Sequence, residues 1–594
     1  MQTEIRKRAR LYGVAAILLA VVLVSVCYNL GNIPKLQVTL PPSPLKTFSS
    51  YNELRDFLGA NAGNQGYHFY GFGDVRAPLD SVPNSVSGPN LNFEHSTTNI
   101  QVAGVDEADT VKTDGEYVYV ITGNNVSILK GYPPEEAQIV SRSIFNDTYP
   151  VGIFVRGGRL VVLGNRYSDA MPLRGYYGGS FWETKTVANV YDISDRTNPE
   201  LLRTFMMSGS YFNSRLIGDY VYFVISQPAY LIYDTVILPK IYTDDEFKEM
   251  SPTEVHYSDG TDSYYLFTTF VALNMQDTTE TPKYISLMLG GTSGMYVSLS
   301  NIYVTFPDKD QNTNVYRISV ANSNLTCEAQ GKVFGRELNQ FSMDEYDNHF
   351  RIATTTQVNG PTQNNLYVLN MNLSIVGSVE NMAPGEAIDS ARFMGDRCYL
   401  ATSIVRRDPF FVIDVENASD PKVLGYLKIP GFSRYLHPYD ESHMIGVGRD
   451  ENNSVKISLF DVSNVSAPVE MDRYAVEGSW SDTSVLTDHK AFLFDRSKDL
   501  LVIPASAYNA YGVKGFYNYY DPWQGALVFN ITLTDGFVLR GTISHQEPSA
   551  YDWDSTYWVK RTFYVRNVLY TVSDVKVKLN SLDDLAFIKE VPLG

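Results

Sequence analysis

Cysteine is almost missing from this 594-residue chain, with only Cys27, Cys327 and Cys398 present. That excludes a disulfide-stapled scaffold and any structural zinc site made of cysteines alone. Histidine is scarce too, eight in all, and no His-Glu-x-x-His pair occurs. Gly-x-Ser-x-Gly, phosphate-cradling and dinucleotide fingerprints are likewise absent. Basic residues are outnumbered, 48 Lys and Arg against 66 Asp and Glu, for a net charge of −18. A dedicated nucleic-acid binder needs basic surface to neutralise phosphates, so that class is set aside. Gly (42) and Pro (28) are at ordinary levels, which removes collagen-like and low-complexity chains. The hydrophobic share of 44% is enough to bury a sizeable core.

Long apolar runs are rare, and the first is informative. Arg6, Lys7, Arg8 and Arg10 precede an uncharged stretch over 11–30, about 30 Å as a helix. The positive-inside rule puts residues 1–10 in the cytoplasm and the rest outside the cell, anchored once in the membrane. A cleaved signal peptide is the rival reading. Against it, the run is longer than a signal core, no Ala-x-Ala follows, and Val26 before Cys27 suits lipoprotein processing badly. A second uncharged stretch, 284–307, carries Gly290, Gly291, Ser293 and Gly294 at its middle and reads as two strands and a turn. Residues 31–95 form a stalk and linker. Pro34, Pro41, Pro42 and Pro44 keep its start extended. Ser50-Tyr51-Asn52-Glu53 is a capping box that predicts a short docking helix over 50–59. Residues 60–95, rich in Gly, Asn, Ser and Pro, read as a flexible connection.

From about residue 105 onward short alternating strands dominate, and they repeat. Asp192 and Pro199, Asp414 and Pro421, and Asp461 and Pro468 each stand seven apart after an apolar strand. Asp accepts from turn N–H groups and Pro pre-sets φ for the next strand, so these are turns rather than ligand sites. A polar turn leading into an apolar strand recurs at 116–120, 158–163, 218–224, 301–306, 348–353, 395–402, 443–447, 500–503 and 567–572. Its middle members are about 45–48 residues apart, the period of a four-stranded propeller blade. The fold expected is therefore all-β, one large propeller of eight or nine four-stranded blades over 96–594.

Thr98-Asn99-Ile100-Gln101-Val102-Ala103-Gly104-Val105-Asp106-Glu107-Ala108-Asp109 and its continuation to Gly115 resemble the opening signature of a secreted β-propeller domain family of archaea and bacteria, distantly akin to WD-repeat propellers. Tyr435-Leu436-His437-Pro438-Tyr439-Asp440-Glu441, Asp488-His489-Lys490-Ala491-Phe492-Leu493, Leu569-Tyr570-Thr571-Val572-Ser573-Asp574 and the stretch 48–54 are similar to it too. The resemblance covers about 48–594. It implies fold and extracytoplasmic location, and brings no catalytic residue with it.

In a blade of strands a to d, the a–b and c–d turns share one face of the disc. The b–c and d–a connections share the other. The long insertions, 164–186, 226–267, 505–524 and 545–561, all fall on the second face, and they are aromatic. Tyr176, Tyr177, Trp182, Tyr519, Tyr520, Trp523, Trp553 and Trp558 are the candidate ligand-binding residues, because exposed Tyr and Trp offer wide contact with a polar handle. The alternative is that they pack the loops onto the disc. Asp106, Glu107 and Asp109 form the densest acidic cluster and are candidate Ca²⁺ ligands, with turn capping as the other reading. No other cofactor is indicated. His437 and His443 flank a predicted hairpin, and Cys327 and Cys398 fall in different blades as free thiols. Asn-x-Ser/Thr occurs at Asn125, Asn146, Asn324, Asn372, Asn417, Asn452, Asn464 and Asn530, glycosylation candidates if the domain lies outside. Two functions follow. One is a membrane-anchored propeller binding an extracellular protein or glycan through the insertion face. The other is a propeller hydrolase or lyase, with paired carboxylates acting in the central channel on a polysaccharide or peptide.

Overall fold

Apolar and polar residues alternate along each repeat, which makes short strands with one face for each neighbour. The computed structural model describes residues 45–61 and 94–594, apart from 168–170, 173–179, 182, 233, 244–245, 259–264, 358–359, 404–406, 513–517 and 548–553. The apolar run 11–30 lies outside them. Among the described residues, no helix is long and apolar enough to cross a membrane.

Among those residues, nine sheets have four or more strands. In chain order they are blade 1 (111–144), blade 2 (148–208), blade 3 (210–289), blade 4 (294–334), blade 5 (343–382), blade 6 (387–430), blade 7 (432–475), blade 8 (480–543) and blade 9 (561–592). Nine apolar clusters lie between them, each shared by two successive sheets. One joins Val118 and Leu129 of blade 1 to Tyr570 and Leu579 of blade 9, so the ring closes on itself. All nine sequence repeats are the second strand of a blade, from Tyr117–Thr122 in blade 1 to Val568–Val572 in blade 9. The Asp–Pro pairs are c–d turns, where Asp192 and Asp461 accept from the backbone N–H of Ser194 (2.7 Å) and Ser463 (2.8 Å).

Successive blades meet at a recurrent joint. A Cβ on Gly331, Gly377 or Gly425, in the outer strands of blades 4, 5 and 6, would sit 2.2–2.4 Å from the carbonyl oxygen of Leu373, Ala418 or Val465 respectively. Each of those carbonyls is in the c–d turn of the next blade, so glycine lets the turn lie directly on the strand before it.

The stalk helix is real and is held by the propeller. Tyr51–Asn61 forms it, two residues beyond the expected end. Ser50 Oγ accepts from Glu53 N–H (3.3 Å), while the Glu53 carboxylate accepts from Ser49 N–H (2.7 Å). Ahead of it, Lys46–Thr47 adds an edge strand to blade 3 by pairing with Tyr257 and His256. Phe48, Leu54 and Leu58 are fully buried in the cluster between blades 2 and 3. Phe48 stacks on Tyr257 at 4.0 Å, and Phe57 meets Tyr265 edge-on at 5.5 Å. The insertion 226–267 is thus, in part, a seat for this helix.

Candidate functional site: the hub and the insertion face

The signature 98–115 runs through the middle of the ring. Asn99 Nδ2 donates to the carbonyls of His489 (3.0 Å) and Phe492 (3.2 Å), on blade 8. Gln101 Nε2 donates to those of Gln340 (3.0 Å) and Met343 (3.2 Å), at blade 5. Val105–Glu107 pairs with blade 3 at Arg215–Ile217, and Asp109 bridges Ile153 of blade 2. Gly104, at φ 83°, turns the chain where a side chain would press on Leu299 of blade 4. Before the signature, Ser96 N–H donates to the Tyr564 carbonyl of blade 9 (3.0 Å).

Every acid of the cluster has a cation. Lys112 Nζ donates to Asp106 (2.7 Å) and to the Glu107 carbonyl (2.6 Å). Glu107, 2% exposed, lies 3.7 Å from Arg215 and 3.6 Å from His489 Nε2. Arg561 Nε donates to both Asp109 oxygens (2.9 and 3.1 Å), and its Nη2 to Asp488 (2.5 Å). Burial works against the Arg561 charge, but Asp109 and Asp488 outweigh it and hold the guanidinium above its ordinary value. Burial pushes Asp488 up, and Arg561 and Lys490 bring it below the usual carboxylate range. A calcium site needs six to eight oxygens free to coordinate. Lys112 and Arg561 bond Asp106 and Asp109, and Arg215 faces Glu107, so these acids read as ion-paired carboxylates rather than as a Ca²⁺ site. Among the described residues, no group of three or more His, Cys, Asp or Glu is arranged to hold a metal. The cluster is an internal ion-pair hub. Sequence reasoning missed it because its partners come from far along the chain: Asp109 and Arg561 are 452 positions apart.

Connectivity places the b–c and d–a insertions together, on the face opposite the Asp–Pro turns. Tyr176, Tyr177, Trp182 and Trp553 lie outside the described residues. Tyr519 and Tyr520 pair with Tyr511 and Ala510 in the long hairpin Leu500–Gly512/Asn518–Thr532. The blade's inner strand reaches only to Tyr508, so residues 509–512 extend about 14 Å beyond it as a two-stranded ribbon. Trp523 is half-buried against the blade 7–8 core, and Trp558 is also half-buried. Trp523 thus packs in part onto the disc. Trp480, at the start of blade 8, stacks on Tyr508 at the ribbon's base, centroids 5.2 Å apart. It lies in an inner strand rather than an insertion, so loop composition did not point to it. On blade 2, Tyr149 and Tyr167 meet at 5.6 Å on the same face and are 57% and 53% exposed. Beside them Glu183, buried, accepts from Tyr242 Oη (2.8 Å) and Lys240 Nζ (3.0 Å).

His443 Nδ1 sits 2.8 Å from Asp440 across the expected hairpin, and Cys327 and Cys398 are free. Of the eight sequons, Asn146, Asn324, Asn372, Asn417, Asn452 and Asn464 are exposed, whereas Asn125 and Asn530 are half-buried in strands.

A ring of nine blades with a chain-filled hub and one elaborated face defines a β-propeller. The chain belongs to the beta propeller domain family, whose profile matches residues 95–585. It is similar to an uncharacterized protein of Methanocaldococcus jannaschii, 27% identical over 543 residues (78% of this chain, 82% of the relative). An uncharacterized protein of Archaeoglobus fulgidus is 28% identical over 558 residues (78% and 85%). Among solved structures it resembles a eukaryotic initiation factor, with TM-score 0.35 and 12% identity over 71% of this chain and 88% of that one. Dihydro-heme d1 dehydrogenase NirN gives TM-score 0.36 and 13% identity over 72% and 76%.

Proposed function

We propose that this protein is a propeller held at the cell surface by residues 11–30, and that it binds an envelope protein or glycan through its insertion face. The observation that carries the reading is the ribbon of blade 8. It rises past its own blade with Tyr511, Tyr519 and Tyr520 on it and the Trp480–Tyr508 stack at its foot. A hairpin needed only to join two strands would stop at a short turn. Binding residues carried on loops above a rigid scaffold are the usual way such folds acquire a ligand. The hub adds support, because Glu107 and Asp109 of the signature are buried and ion-paired. A channel hydrolase would need accessible paired carboxylates.

The test replaces 510–520 by a two-residue turn in the full-length protein. Unfolding temperature and capture of partners from protein and glycan fractions of the envelope are then compared. A folded variant that loses capture supports the reading. Capture retained by the folded variant places binding elsewhere, and a variant that fails to fold makes the ribbon structural.

A further inference from the structure

The c–d turns of blades 2, 3, 6 and 7 are built alike but differ in the residue that begins them. In blades 2 and 3 the turn begins with Asp195 and Asp277, whose Oδ1 accepts from the N–H (2.9 Å in both) and Oγ1 (2.6 Å in both) of Thr197 and Thr279. Blade 6 uses Asn417 in that place, accepting from Ser419 N–H (3.1 Å) and Oγ (2.8 Å), and blade 7 uses Asn464, accepting from Ser466 N–H (3.2 Å). The turn requires only the accepting oxygen, which a carboxylate supplies as well. In blades 4 and 5 the asparagine is not needed even for that. Asn370 Oδ1 closes the blade 5 turn by accepting from Asn372 N–H (3.0 Å) and Ser374 N–H (3.1 Å). In blade 4 the Ala321 carbonyl accepts from Asn324 N–H (3.1 Å). Asn324, Asn372, Asn417 and Asn464 are all exposed, and each begins an Asn-x-Ser/Thr triplet. In blades 5 to 7 the middle residue of the triplet is the one seated on the preceding blade's glycine. What the turn does not use in these four blades is the side-chain amide nitrogen.

We propose that the turn face of blades 4 to 7 carries an arc of N-linked glycans at Asn324, Asn372, Asn417 and Asn464. The same face of blades 8, 9, 1, 2 and 3 stays bare. The donor class is a phosphate-activated oligosaccharide. The Asn Nδ2–C1 bond forms as the C1–O bond to phosphate breaks, the phosphate leaves with the electron pair, and the amide proton passes to a base of the transferring enzyme. Asn530 is held mid-ladder between Leu500 and Val538 and is not part of the arc. This proposal rests on the reading that residues after 30 lie outside the cell.

The experiment is peptide mapping by mass spectrometry of the full-length protein from its native membranes, together with surface labelling of intact cells by a membrane-impermeant reagent. Sugar mass is expected on the peptides holding the four asparagines. Asn324→Gln and Thr326→Ala should each remove the same single increment, as should Asn372→Gln and Ser374→Ala. Surface-labelled protein with all four peptides unmodified, or with sugar only at Asn146 and Asn452 on the opposite face, overturns the arc and leaves the outside location standing. Protein that intact cells do not label overturns both.

Discussion

Three buried histidines make this propeller sensitive to mild acid. His437 Nδ1 contacts Tyr435 Oη (2.9 Å), His489 Nε2 contacts the Asn99 carbonyl (3.1 Å), and His545 lies between Ser573 Oγ (2.9 Å) and Thr571 Oγ1 (2.8 Å). Burial is the main cause that lowers all three below the ordinary imidazole value. Arg392 adds to it at His437, Lys490, Arg561 and Arg215 at His489, and Lys578 and Lys576 at His545, which falls to about 3. In the unfolded chain these rings protonate near pH 6.5, while in the fold they stay neutral. The stability each neutral ring contributes is therefore present above about pH 6.5 and is lost as pH falls, by up to about 1.4 kcal/mol per pH unit and ring. Urea midpoints measured between pH 7.5 and 5 should show this slope. His545→Gln should lower it by about a third, and a flat profile would refute the assignment.

At the scale of the element, the joint between blades depends on glycine. Gly377→Ala would put a methyl carbon against the Ala418 carbonyl, and overpacking of this kind costs about 1–3 kcal/mol. The expected outcome is a lower thermal midpoint with the same cooperativity; an unchanged midpoint would mean the outer strand yields freely. Much of the blade architecture was legible from residues. The second strands stood out because a polar turn always precedes an apolar run, and their even spacing through blades 4 to 7 identified the blade. Insertions broke the period in blades 2, 3 and 8, which left the number at eight or nine. Gly331, Gly377 and Gly425 recur at almost the same interval, but a glycine in a strand does not say which backbone approaches it. The aromatic insertions were correctly assigned to one face. That part of one insertion seats the stalk helix was not readable, since Tyr257 and Tyr265 look like any other loop aromatics until Phe48 and Phe57 are placed against them.

For the whole molecule, the helix is held to the ring by packing as well as by the chain that joins them. Residues 46–61 hold to blade 3 through Phe48, Leu54 and Leu58, each worth roughly 2 kcal/mol of burial. A protease site introduced within 62–93 and cut after purification should yield two pieces that co-elute in native gel filtration and separate in urea. Separation without denaturant would show that the helix contributes little. The hub was the least legible part. Lys112 is near its acids in sequence, but Arg215, Asp488 and Arg561 are brought to the axis only by closure of the ring.

That arrangement sets an order of events during synthesis. Asp109 is made early, yet the guanidinium that neutralises it belongs to residue 561, in the last blade. Until blade 9 exists, the signature peptide cannot be buried without leaving a bare charge in a dry interior, which costs several kcal/mol. The ring is thus kept from locking around its own axis until the final blade has been made. A chain truncated before Arg561 carries, at the centre, a charge that discourages it from closing.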